Sequence, residues 1–314
     1  MGVEDIGSLN ATLENGQIRT VILVSEALHE KRISDIAEEI AKKSGQVRLV
    51  LIAGPSSSGK TTFARRLAMQ LRVNGLRPFA LGLDDFFVHR ELTPLNEEGE
   101  HDFEALEAVN LSLFNERLRG LLKGELVQLP RFDFHTGKSG WGEQVRLPPD
   151  AIVIVEGIHS LNPGLLMDVP SESVYRIYVS ALTQLNIDHH NRVPTTDTRL
   201  LRRIVRDARD RGYSATDTIQ RWESVRRGEE SNIFPYQENA DVMFNSALVY
   251  ELAVLKPLVE PLLLRVPQGT MEYLEARRLS AFLSWVRPCD VELVPDNSLL
   301  REFVGGSILK DLEF

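Results

Sequence analysis

The chain is poor in several things, and each shortage removes a class of protein. Among 314 residues there is one cysteine, Cys289, so neither an intrachain disulfide nor a cysteine-built zinc site can form. A lone thiol of this kind is read as an inert core residue. No stretch approaches the ~20 apolar residues that a membrane-spanning helix requires. Residues 1–9 carry acids and no apolar core, unlike a signal peptide, and a cytoplasmic setting is the default expectation. Basic residues are outnumbered, 36 Lys and Arg against 45 Asp and Glu, for a formal net charge of -9. Nucleic-acid binding by counterion release needs clustered positive charge, so a nucleic-acid partner is not expected. Internal repeats and low-complexity tracts are also missing.

What remains is an apolar fraction of 43%, enough to fill a sizeable core. Residues 1–45 read as a leader, with a short strand at Val21–Val24 and a helix from Ser25 to Lys43. From Val47 the pattern alternates between strands and helices, which predicts an α/β fold with a parallel sheet covered on both faces. Strands are expected at Val47–Ala53, Pro78–Leu83, Ala151–Val155, Val174–Val179 and Ala240–Phe244. Helices are expected at Thr61–Val73, Ala105–Leu122 and Thr198–Arg211, and a β-hairpin flap over Glu125–Leu147. The resulting division is a leader to residue 45, a main domain over 46–250 and a mostly helical extension over 251–314. Leu252–Leu264 and Tyr273–Trp285 each have an apolar face, for the core or for a second copy in a homo-oligomer.

The strongest chemical signal is Gly54-Pro55-Ser56-Ser57-Ser58-Gly59-Lys60-Thr61. It fits the P-loop pattern G-x-x-x-x-G-K-[ST], and here a predicted strand leads in and a predicted helix leads out. Gly54, Ser56, Ser57, Ser58, Gly59 and Thr62 would present backbone N–H groups as an anion nest at a helix N-terminus. Lys60 would reach the β- and γ-phosphates of ATP, and the Thr61 hydroxyl would ligate Mg²⁺. Two strands end in acids, where an open parallel sheet places its ligands. Glu156, closing the apolar run from Ala151, would hold Mg²⁺ as well, directly or through water. Asp84 or Asp85 would take the proton of an attacking alcohol, and spacing does not choose between them. Thr198–Arg211 separates into an apolar stripe (Leu200, Leu201, Ile204, Val205) and an arginine face (Arg199, Arg202, Arg203, Arg206), which reads as a lid over transferring phosphate.

Together with Pro130-Arg131-Phe132-Asp133-Phe134 and Val155-Glu156-Gly157-Ile158, these segments resemble the uridine kinase / phosphoribulokinase family over about Val47 to Phe244. The closest likeness is to bacterial uridine kinase-like nucleoside kinases, which often carry an N-terminal TGS module for which this chain has no room. The resemblance implies a P-loop NTPase core, doubly wound, with sheet order 2-3-1-4-5, ATP with Mg²⁺, and transfer to a nucleoside hydroxyl, the 5′-OH. It selects Asp84 as catalytic base beside Lys60, Asp102 as the ribose ligand, and Phe132 and Phe134 as the base-binding turn. It also places Arg202 and Arg206 on the nucleotide, and Arg199 and Arg203 on the acceptor. Two departures stand out. The position of a pyrimidine-reading histidine is Gly137, with His135 two residues early, and Phe132 replaces a tyrosine. Secondly, residues 182–198 are an insertion containing Asp188-His189-His190-Asn191-Arg192, read as an acceptor loop through Arg192 and not as a metal site. His159 is a further candidate at the edge of the site. A sugar, sugar phosphate or other metabolite alcohol is the alternative acceptor, and an ATP-binding regulatory protein the alternative to an enzyme.

Overall fold

Why the strands beginning at Leu49 and Ala151 are almost wholly apolar becomes clear from what covers them. The computed structural model describes residues 2–95, 99, 101–133, 136–167, 169–310 and 312. Its strands are β1 (Leu49–Ala53), β2 (Arg77–Gly82), β3 (Val127–Asp133), β4 (Lys138–Val145), β5 (Ala151–Glu156), β6 (Val174–Ser180) and β7 (Val242–Asn245). Five of them form one sheet in the order β2-β5-β1-β6-β7, all neighbours parallel. Counted among themselves in chain order, these are strands 2-3-1-4-5, as the family resemblance implies. Strands β3 and β4 pair separately as the antiparallel hairpin.

Successive side chains alternate across the sheet. Leu49, Leu51 and Ala53 enter one core with Val153 and Val155, while Val50 and Ile52 enter the other with Ile152 and Ile154. The helices are α1 (Ile6–Glu14), α2 (Ile18–Lys42), α3 (Lys60–Val73), α4 (Leu111–Leu122), α5 (Thr195–Asp210), α6 (Ala215–Asn232), α7 (Glu251–Leu263), α8 (Met271–Leu283) and α9 (Arg301–Val304). Phe114, Leu118 and Leu121 of α4 cover the first face, and α2 and α3 cover the second with Ile33, Ile36, Phe63 and Leu67. A third core joins α1, α5, α6, α7 and α8 around Leu9, Leu200, Trp222, Tyr250 and Leu279. No helix among the described residues is long and apolar enough to cross a membrane.

Three local expectations need correction. Val21–Val24 is not a strand but lies inside α2. Ile18, Ile22, Ser25, His29, Ile33, Ile36 and Ile40 are buried at three- and four-residue spacing, so the helical period runs back to Ile18. Leu23 and Val24, exposed at 62% and 45%, disguised it by making the run continuous. The helix expected from Ala105 begins only at Leu111, because the Asn110 side chain accepts from Leu113 N and caps it there. Helix α6 was not foreseen, since its apolar positions are few. Its start is nonetheless written in the sequence as a capping box between Ser214 and Asp217.

Candidate active site

The loop between β1 and α3 has a backbone that most side chains would forbid. A Cβ at Gly54 would lie 2.1 Å from the Val179 carbonyl oxygen of β6, so the close approach of loop and strand requires glycine. Gly59, the residue before α3, has φ +86°, in the left-handed region. Ser57 also has positive φ, the one non-glycine among the described residues to do so, a strain found where backbone is held for function. Lys60 opens α3 and donates from Nζ to the Pro55 carbonyl at 3.2 Å. The hydroxyls of Ser57 and Ser58 are buried without a hydrogen-bond partner among the described residues. A buried hydroxyl left unpaired is costly, and an anion seated in this cradle fits that unmet capacity.

Carboxylates converge on Lys60. The Thr61 hydroxyl donates to Glu156 Oε1 at 3.0 Å, which brings the two expected Mg²⁺ ligands together. Burial, reinforced by the nearby Asp84 charge, pushes the Glu156 carboxyl up to about 7, against the opposing pull of Lys60 and Thr61. Asp84 is reached by solvent but crowded by protein on its other sides. That crowding raises its pKa, while Lys60, Arg211 and Arg206 draw it down. Asp85 turns the other way, accepting from Phe132 N of the hairpin at 3.3 Å. The two adjacent acids thus divide, one to the cradle and one to the flap.

The arginines of α5 also divide. Arg199 and Arg202 are buried, at 2% and 1% exposure. Arg199 donates to the Ser56 carbonyl at 2.9 Å and pairs with Glu229 of α6, whose Oε1 also accepts from Ser56 N at 2.7 Å. Arg202 pairs with Glu251 at 2.6 Å and donates to the Ser57 carbonyl at 3.2 Å and the Ser246 carbonyl at 3.1 Å. Arg203 donates to Ser56 Oγ at 2.7 Å, and its charge is felt by Glu104. Arg206 is bonded to Asp207 at 2.9 and 3.0 Å while its field reaches Asp84.

A parallel sheet in this order, a P-loop, and acids at the ends of β2 and β5 narrow the choice of family. The sequence profile of the Phosphoribulokinase / Uridine kinase family matches residues 49–253. The chain belongs to this family. With membership comes the reaction class, transfer of a phosphoryl group to an alcohol. A uridine kinase of Deinococcus deserti is 28% identical over 203 residues, 64% of this chain and 89% of that protein. One of Staphylococcus haemolyticus is 27% identical over 196 residues, 62% and 86%. Among solved structures, a possible uridine kinase from Bacillus stearothermophilus aligns at TM-score 0.47 and 20% identity, over 68% of this chain and 98% of that one.

Within this family frame, several expected residues fall elsewhere than the sequence suggested. Arg199 and Arg202 are buried against P-loop carbonyls, buried acids and the Ser246 carbonyl, so they brace the loop from within rather than standing over it as a lid. Asp102 turns onto its own backbone, accepting from Glu104 N at 3.0 Å. The acid of that loop that meets the site is Glu104, which sequence reading missed although it stands two residues on. Its Oε2 is buried and unpartnered among the described residues. Burial raises its pKa to about 7, with Arg203 and Lys60 lowering it and Glu229 and Asp84 raising it. Arg211, just past α5, was also missed and acts on Asp84.

On the acceptor side, Phe132 is buried edge-on against Phe87, ring centroids 5.7 Å apart. Phe134 and His135 lie outside the described residues. His159 is fully buried, and burial holds its pKa down at about 4, so it is neutral. Neither of its ring nitrogens has a partner within hydrogen-bond distance among the described residues, although the Ala105 backbone is near enough to act on it. Arg192 is exposed in an insertion whose Leu185 and Val193 pack into the third core, and Asn186 bridges to Asp5. That anchorage ties the insertion to the N-terminal helix. Asp188 serves its own turn through His190 N and Asn191 N, and no metal-holding group of acids, histidines or cysteines occurs among the described residues.

Proposed function

We propose that the protein transfers the γ-phosphoryl group of ATP, with Mg²⁺, to the 5′-hydroxyl of a nucleoside, in the cytoplasm. The observation that carries this reading is the convergence of Asp84, Glu156 and Lys60 at the mouth of the P-loop. Thr61 and Glu156 would hold the metal ion, which neutralises phosphate charge when bound. Lys60 and the N-terminus of α3 hold the phosphates and favour charge developing on them during transfer. Asp84 stands where an acceptor hydroxyl would approach and takes its proton. A carboxyl whose pKa is raised is the stronger base for that step. Glu104, with one oxygen unmet, would accept hydrogen bonds from neighbouring acceptor hydroxyls. Arg203, Arg206 and Arg211 supply the surrounding positive field.

One observation favours a second reading, in which the acceptor carries a phosphate or carboxylate. At the turn of the flap, Arg90 lies across Gly137: a Cβ there would meet Arg90 Nε at 2.7 Å. Arg90 N also donates to the Gly137 carbonyl at 2.9 Å, and Gly137 has φ +69°. A guanidinium thus lies beside the position expected to read a pyrimidine. A screen of ADP release over nucleosides, sugars and sugar phosphates, with Asp84→Asn as control, separates the two. A nucleoside as best acceptor supports the first reading. A sugar phosphate that outpaces every nucleoside overturns it in favour of the second.

A further inference from the structure

The N-terminus of α3 is the positive end of the phosphate cradle, and one of its N–H groups is already taken. Thr62 N donates to Oε2 of Glu302 at 3.0 Å. Glu302 belongs to α9, about fifty residues beyond the end of the family match, in a part of the chain to which the kinase chemistry assigns no role. The strap that carries it is fastened around the loop. Leu299 shares the core of α3 and would lie 3.6 Å from a Cβ on Gly59. Phe303 is fully buried, with the Arg202 guanidinium 4.9 Å from its ring centroid. Arg209 donates to the carbonyls of Phe303 at 2.6 Å and Glu302 at 3.0 Å. The backbone of residues 299–303 is therefore fixed. The Glu302 carboxylate, half-buried, can swing about its own side-chain bonds without moving that backbone.

We propose that Glu302 is a built-in anionic competitor for the donor nucleotide, holding the α3 N-terminus when no nucleotide is bound and leaving it when the phosphate chain enters. Two anions cannot accept from the same N–H in the same direction, and the helix end stabilises whichever is present. A carboxylate left in the cradle would also repel the phosphates. The device raises the nucleotide concentration needed for occupancy and gives the C-terminal segment control over a loop about 240 residues earlier in the chain. The inference rests on Gly54–Thr61 being the phosphate loop.

The test is calorimetric titration of ADP and of ATP into wild type, Glu302→Gln and Glu302→Ala, without acceptor. Glu302→Gln keeps the size and a neutral acceptor for Thr62 N, so it reports even where alanine disturbs the fold. The expected result is a Kd about tenfold lower for Glu302→Ala, the scale of one charge at a helix terminus, with Glu302→Gln in between. An unchanged or higher Kd in both variants, with wild type still binding, overturns the competitor alone. A merely structural cap predicts that opposite sign, together with a lower melting temperature. Wild type that binds neither nucleotide overturns the phosphate-loop reading and the competitor with it.

Discussion

The hydroxyl of Thr61 donates to Oε1 of Glu156 across 3.0 Å, joining the first turn of α3 to the end of β5. A Thr–carboxylate pair beside a lysine is what a hard cation takes up. Glu156→Ala is expected to lower kcat by at least about 100-fold, the scale of losing one electrostatic element of a transition state. Chelating Mg²⁺ with EDTA should abolish ADP release by wild type. Turnover that persists in EDTA would sink the metal assignment.

Asp84 and Asp85 are neighbours with opposite outlooks, and their variants should separate accordingly. Asp84→Asn should cost about 100- to 10,000-fold in kcat, since it removes the proposed proton acceptor. Asp85→Asn weakens the bond from Phe132 N and so loosens the flap. Its effect should fall on the acceptor KM, by several-fold, with kcat nearly kept. Steady-state kinetics on both variants decides it, and a large kcat loss in Asp85→Asn would reverse the assignment.

Which parts of this arrangement could be read from sequence follows from how each is built. The P-loop is local: glycine, lysine and threonine at fixed spacing carry their own geometry, and the strand and helix around them are plain in the apolar pattern. Glu156 is likewise fixed by the strand it closes. Arg199 and Arg202 were visible as arginines but not as braces, because Glu229 and Glu251, which draw them inward, lie 30 and 49 residues away. Glu104 escaped notice because the choice between it and Asp102 depends on a turn made by the Asp102 side chain itself. Glu302 is a contact across 240 residues, and nothing local announces it.

The proposed contact of Glu104 with the acceptor would make the acceptor KM depend on pH. Its carboxyl, raised from 4.5 to about 7 chiefly by burial, is protonated below that pH and ionised above it. The ionised form accepts hydroxyl hydrogen bonds at both oxygens, so the acceptor KM should fall as pH rises through about 7. Glu104→Gln should flatten that profile. The stability consequence has the opposite sense. A raised folded pKa gives a contribution fully present below the unfolded value of 4.5 and lost as pH rises through about 7, and Glu104→Gln should remove that slope from thermal melts.

The same carboxylate can be displaced from behind. A Cβ at Gly228 of α6 would sit 2.3 Å from the Glu104 Cβ, a contact that backbone or side chain must relieve by moving. Gly228→Ala is expected to cost about 1–3 kcal/mol of stability by overpacking and to raise the acceptor KM. The KM for ATP, measured alongside, reports any strain passed to the P-loop through the next residue, Glu229, which accepts from Ser56 N. A normal acceptor KM in a folded Gly228→Ala protein would mean that Glu104 does not contact the acceptor.

The Arg202–Glu251 pair, at 1% and 2% exposure, invites a double-mutant cycle. Arg202→Met alone should destabilise by about 3–5 kcal/mol, because it strands a buried carboxylate. Adding Glu251→Leu should recover a large part of that loss in urea denaturation, although the Ser57 carbonyl stays unbraced. Independent, additive costs would contradict the coupling.

Arg199 grips the Ser56 carbonyl with one edge and lies over the Trp222 indole, 5.2 Å from its ring centroid, with the other. Trp222 is 8% exposed, whereas Trp141 and Trp285 are exposed at 63% and 59%. An aqueous quencher therefore silences two of the three indoles and spares the one wired to the phosphate loop. What emission remains then comes from an indole that Arg199 joins to the backbone of the phosphate loop.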